Sequence, residues 1–160
     1  MAKPRALLIF GAPSSGKSTF AQQFSLEFKA PVIDIDKLKK KHNLTDDIVG
    51  VIIDQLTQCR QTLIIDGGID TEEARNNFRD LLNRRGYNPT LIWVQTDIST
   101  LKARLKAKYA SPSKAKSAYE SAVANMEAPA DIERPIVISG KHTFPAQMKT
   151  VLSSLATPKK

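Results

Sequence analysis

Gly11-Ala12-Pro13-Ser14-Ser15-Gly16-Lys17-Ser18 spells G-x-x-x-x-G-K-[ST], a spacing whose chemistry is the capture of a polyphosphate. Successive main-chain N–H groups in such a turn wrap an anion, and a helix opening at its end adds partial positive charge. Gly11 and Gly16 let the chain turn and approach a ligand with no Cβ in the way. Lys17 can neutralise β- and γ-phosphates, the Ser18 hydroxyl can ligate Mg²⁺, and Thr19 can reach the α-phosphate. The expected ligand is ATP with Mg²⁺, cradled by Gly11 through Thr19.

Three aspartates come next. Asp34 and Asp36 follow the apolar pair Val32-Ile33, and Asp66 follows Leu63-Ile64-Ile65. In open α/β sheets ligands gather beyond the carboxyl ends of strands, so these acids and the glycine-rich turn should share one crevice. Moving a γ-phosphate onto an alcohol calls for a carboxylate that orients the hydroxyl and takes its proton. It also calls for an acid in the Mg²⁺ shell, usually acting through water. Period-2 alternation puts Asp34 and Asp36 on one side if the extended segment persists. Asp36, nearer the mouth, is then the candidate base and Asp34 a substrate contact; capping of a helix is the plainer alternative for either. Asp66 is the candidate metal and substrate acid, with Gly67-Gly68 giving close access, and a simple turn aspartate is the plainer reading there. Arg104, Lys106, Lys108, Lys114 and Lys116 gather around a polar interruption. Cations on a closing segment stabilise charge on a transferring phosphoryl group, so Arg104 joins Lys17 and Asp36 as a predicted catalytic residue. A solvated helix face is the alternative for that cluster.

These groups need a frame. Short apolar runs at Arg5–Phe10, Pro31–Ile35, Gln61–Asp66, Pro89–Gln95 and Pro135–Ser139 read as strands. Between them lie helical patterns. Phe20, Phe24 and Phe28 recur at i, i+4 in the first, and Ile48, Val51, Ile52 and Leu56 stripe the second. Asp70 and Glu73 form a plausible capping box for a third helix, which Gly86 stops. Asp97 or Ser99 caps a fourth, with Leu101 and Leu105 inward. Tyr109 to Lys116 reads as an irregular stretch before a helix bearing Tyr119 and Met126. Phe144, Met148, Val151 and Leu155 stripe the last helix. Trp93 and Cys59 are expected in the core. Strands alternating with helices call for a parallel sheet covered on both faces, in one α/β domain spanning residues 1–160.

Composition bounds the rest. The chain has 160 residues, 41% hydrophobic and 25% charged, with a formal net charge of +8. That charge favours an anionic partner without choosing between nucleotide, nucleic acid and phosphorylated metabolite. The single cysteine excludes an intrachain disulfide and a cysteine-based zinc cluster. The run Ala6–Phe10 is too short for a signal-peptide core, and no stretch approaches a membrane span, so a cytoplasmic protein is expected. Thr157 to Lys160 reads as a short tail. A guanine-reading N-K-x-D motif is absent. His42 and His142 read as surface or loop residues.

Val32 through His42, together with the P-loop, Leu63-Ile64-Ile65-Asp66-Gly67, Arg104 with Lys108, and Met126-Glu127-Ala128-Pro129, resembles the zeta-toxin-type kinases. Polynucleotide 5′-hydroxyl kinases carry a related acidic-then-basic segment. The resemblance implies a three-layer P-loop NTPase fold, strand order 2-3-1-4-5, with a helical lid at about 104–129. It implies that Asp36 contacts the acceptor hydroxyl, that Asp66 serves the substrate and Mg²⁺ region, and that Lys39 touches substrate or phosphate. The expected activity is ATP-dependent phosphorylation of a hydroxyl on a small molecule, nucleotide sugar or nucleic-acid end. The rival is an ATP-binding or ATPase module that holds nucleic acid on Lys37, Lys39, Lys40 and Lys41.

Overall fold

Arg5–Phe10 (β1) buries five successive residues, Ala6 to Phe10, because a strand at the centre of a parallel sheet meets apolar neighbours on both faces. Odd and even positions part company. Leu7 and Ile9 pack with Phe20, Ala21, Phe24 and Val151, whereas Ala6, Leu8 and Phe10 pack with Val49, Ile53, Leu82 and Tyr87. The computed structural model describes residues 2–157. Its other strands are Val32–Asp34 (β2), Leu63–Asp66 (β3), Asn88–Gln95 (β4) and Ile136–Ser139 (β5). All pair in parallel in the order β2-β3-β1-β4-β5, as the resemblance implied. The register sets Ile9 beside Asp66 and Asp34 beside Asp66, so β1, β2 and β3 deliver their carboxyl ends to one edge.

The helices are Lys17–Phe28 (α1), Ile35–His42 (α2), Asp46–Thr57 (α3), Glu72–Arg84 (α4), Ile98–Lys108 (α5), Pro112–Ala124 (α6) and Phe144–Ala156 (α7). Residues of α1 and α7 cover one face of the sheet, and residues of α2, α3 and α4 the other. No helix among the described residues is long and apolar enough to cross a membrane.

Several expectations need correction. The extended segment at Asp34-Ile35-Asp36 stops at Asp34, whose carboxylate accepts from Lys37 N–H at 2.8 Å and caps α2. Asp36 therefore sits in a helical turn, and the alternation argument for it fails. On α3 the buried positions are Val49, Ile53 and Thr57, while Ile48 and Val51 are exposed. The apolar stripe was read with the wrong phase, since both rows carry branched aliphatics. Cys59 lies beyond the end of α3 and is exposed. Thr71, not Asp70, caps α4 by accepting from Ala74 N–H at 3.2 Å. Tyr109–Lys116 is not one irregular stretch, because Ser111 caps a helix that starts at Pro112, a residue suited to a first turn. Trp93 is half-buried, tilted against Phe10 at 6.1 Å. Of the predicted tail, residues 158–160 lie outside the described residues.

Candidate active site

The turn after β1 is built from two left-handed residues, Ser14 (φ 63) and Gly16 (φ 103). Ser15 N–H donates to Ala12 O at 3.0 Å and closes it, and Phe20 N–H donates to Gly16 O at 2.9 Å as α1 begins. Gly16 is the N-cap of α1 and has no side chain to occupy the first helical N–H groups, which leaves them available to a ligand. Gly11 serves the frame more than the ligand. A Cβ there would lie 2.6 Å from Val94 O and 2.7 Å from Ser15 Oγ.

Two contributors escaped the sequence reading. A Cβ on Gly140 would collide with Ser15 O and Thr96 Oγ1, so only glycine lets the turn after β5 close on the phosphate loop. The Thr96 hydroxyl donates to Ser15 O at 2.9 Å. Arg104 completes this support, donating to Ser14 O at 3.0 Å, Ser15 O at 3.3 Å and Gly140 O at 3.0 Å. Its guanidinium holds the loop and the β5–α7 turn together in this conformation.

A cleft of about 850 Å³ runs along the loop, lined by Pro13, Ser14, Gly16 to Thr19, Asp36, Lys40, Arg104, Lys108 and His142 among others. Asp36 lies in the first turn of α2, where a Cβ on Gly67 would come within 2.6 Å of its Oδ2. Gly67 (φ 78) and Gly68 (φ 69) are thus required twice, for their backbone conformation and for the approach of α2. Lys39 points elsewhere, pairing with Asp46 at 2.5 Å. Lys40, one position on, lines the cleft instead.

Asp66 is buried, and its Oδ1 has no hydrogen-bond partner. Burial pushes its carboxyl up, the Ser18 hydroxyl and the Lys17 charge oppose this, and the Asp34 and Asp36 charges add to it. A lone buried carboxylate oxygen beside a serine hydroxyl is an oxygen donor set that fits Mg²⁺, which keeps most of its water and phosphate ligands. Among the described residues no cluster of three or more His, Cys, Asp or Glu could hold a metal ion. Asp70 is also drawn in. Burial raises its carboxyl, the Asp36 charge raises it further, and Lys17, Lys40 and Arg75 pull it down. Read as a cap, Asp70 gave no sequence signal of this coupling to Asp36 and Lys40.

A phosphate loop heading a 2-3-1-4-5 parallel sheet, with acids at the ends of β2 and β3, defines the P-loop kinase-like class of nucleotide-binding folds. The chain belongs to the AAA domain family, whose model matches residues 7–131. A comparison with curated proteins gives no match. Among solved structures, a gluconokinase from Sinorhizobium meliloti 1021 superposes with a TM-score of 0.70 at 18% identity, covering 98% of this chain and 94% of that one. The Mycobacterium tuberculosis APS kinase in complex with AMPPNP and APS gives 0.67 at 17%, covering 98% and 100%. Chaetomium thermophilum Kti12 in complex with ADP-AlF3 gives 0.69 at 14%, covering 95% and 100%. At such identities the likeness is one of fold. It carries to P-loop kinase-like proteins in general and not to the zeta-toxin-type group in particular.

Proposed function

We propose that the protein is an ATP-dependent phosphotransferase with a small hydroxyl compound as acceptor. The observation that carries this reading is the convergence of Lys17, Ser18 and Asp36 on one cleft, with Asp66, whose Oδ1 has no partner, beside Ser18. A nucleotide-holding module needs the loop; it does not need a second carboxylate over the mouth.

In this mechanism the free N–H groups of the loop and the Lys17 ammonium hold the polyphosphate. Ser18 and Asp66 would hold the cation, and Mg²⁺, when bound, would offset charge on the phosphoryl oxygens. Asp36 accepts the hydrogen bond of the acceptor hydroxyl and removes its proton as the new P–O bond to the γ-phosphorus forms. The bond from that phosphorus to the bridging oxygen breaks, and ADP leaves. Segment 104–129, with Arg104 and Lys108 at its start, serves as the lid that excludes water. Arg104 acts first by holding the loop in shape.

Asp66→Asn separates stability from function. Its carboxyl is raised above the ordinary 3.8, chiefly by burial, so the ionised form costs folding free energy at neutral pH. We expect the variant to melt at a higher temperature than wild type without ligand and to lose the additional stabilisation by Mg²⁺ with AMPPNP. An unchanged magnesium effect would remove Asp66 from the metal site.

The reading as a whole is tested by incubating the protein with γ-labelled ATP and pooled metabolites, and separately with 5′-hydroxyl RNA and DNA. Label in a small-molecule product is expected. Free phosphate alone would favour the rival, whose support is the exposed run Lys37, Lys39, Lys40 and Lys41 on α2. Salt-dependent retention of RNA or DNA without ATP would then follow.

A further inference from the structure

We propose that the acceptor carries an anionic group, a phosphate or a carboxylate, and that Lys40 binds it one helical turn from Asp36. The inference rests on the kinase reading and adds the substrate class. Asp36 and Lys40 stand at i and i+4 on α2, which places their Cβ atoms about 5–6 Å apart on one face. Both line the same cleft.

The lysines around this site have different occupations. Lys17 belongs to the nucleotide phosphates, Lys39 pairs with Asp46 at 2.5 Å, and Lys141 pairs with Asp97 at 3.0 Å. Among the described residues Lys40 has no carboxylate within ion-pair distance, although its charge acts on Asp70. Lys40 is exposed in this conformation, and a lid closing over it would have to replace its hydration with an anion. A purely hydroxylic acceptor would engage Asp36 and leave Lys40 unanswered. An acceptor with a hydroxyl on Asp36 and an anion within lysine reach satisfies both groups.

The test uses protein saturated with Mg²⁺ and AMPPNP, so that the γ-phosphate position is filled. Inorganic phosphate is titrated in one arm and acetate in the other, with binding followed by calorimetry. Wild type should bind one of the two. Lys40→Gln should weaken that binding about tenfold or more, the scale of a hydrogen bond to a charged group. Lys40→Arg should restore it. Lys149→Gln, on the exposed side of α7, should bind as wild type does. Phosphate binding without acetate binding assigns a phosphorylated acceptor, and the reverse assigns a carboxylic acid. Equal binding by wild type and Lys40→Gln, or no anion binding to the loaded protein, overturns the inference and leaves the kinase reading standing. Failure of AMPPNP itself to bind removes both.

Discussion

Asp36→Asn will bind ATP with Mg²⁺ as the wild type does and will transfer its γ-phosphate at least about a hundredfold more slowly, the scale of a lost general base. The amide has nearly the carboxylate's shape but cannot take a proton at neutral pH. Affinity should persist because Asp36 lies on α2, opposite the main-chain N–H groups that hold the phosphates. Gly67 bears on the outcome, since the Asp36 carboxylate rests against its main chain. An Asp36→Glu side chain would be pushed out of that niche, so it should rescue poorly. Calorimetry gives the affinity and labelled-phosphate transfer the rate. Turnover in Asp36→Asn equal to wild type would take this residue out of the chemistry.

Arg75→Ala should destabilise the fold by about 3–5 kcal/mol, the cost of leaving a buried charge without its partner. Arg75 and Glu133 are both buried and meet through two bonds, Nε to Oε1 at 2.6 Å and Nη2 to Oε2 at 3.0 Å. The remaining guanidinium nitrogen donates to Glu127 O at 3.0 Å and to Ile69 O and Asp70 O at 3.3 Å. The ring of Phe10 lies 5.0 Å from the guanidinium carbon. One side chain thus joins β1, the turn bearing Asp70 and the segment that follows α6. For a domain of this size the melting temperature should fall by on the order of 10 °C. The double variant Arg75→Met with Glu133→Met should recover much of the loss, because it removes both buried charges. No recovery would mean that the hydrogen bonds to the Asp70 turn, and not the charge pair, carry the effect.

Acid should probe the same pair. Burial pushes the Glu133 carboxyl up, but the Arg75 hydrogen bond, the Ala130 N–H and the charges of Arg75 and Arg79 hold it below its ordinary 4.5. A carboxyl lowered by folding contributes stability that is complete above the unfolded value and lost as pH falls through the folded one. Wild type should therefore lose this contribution below about pH 4.5, and the double variant should lack that part of its acid sensitivity.

The phosphate loop and the strands around it were legible because their signals are local. The loop is a fixed spacing, β1 is an uninterrupted apolar run, and Leu63-Ile64-Ile65-Asp66 ends where its glycines begin. The acceptor side was harder to read. α2 carries Lys37, Lys39, Lys40 and Lys41 with little apolar periodicity, so Asp34-Ile35-Asp36 passed for strand. That helical phase is what separates Lys39, turned to Asp46, from Lys40, turned to the cleft. Gly140, Thr96 and the Arg75–Glu133 pair act across long stretches of chain, and Glu133 lies 58 positions from Arg75. Only the fold brings such residues together, and no window along the chain contains them.

Calorimetric titration of AMPPNP with Mg²⁺ into wild type and Lys17→Ala tests the central claim, a polyphosphate held by the turn after β1. One nucleotide should bind per wild-type chain, and Lys17→Ala should bind at least about tenfold more weakly while melting like the parent. A wild-type chain that takes up no nucleotide, or a Lys17→Ala variant that binds as tightly, would contradict it.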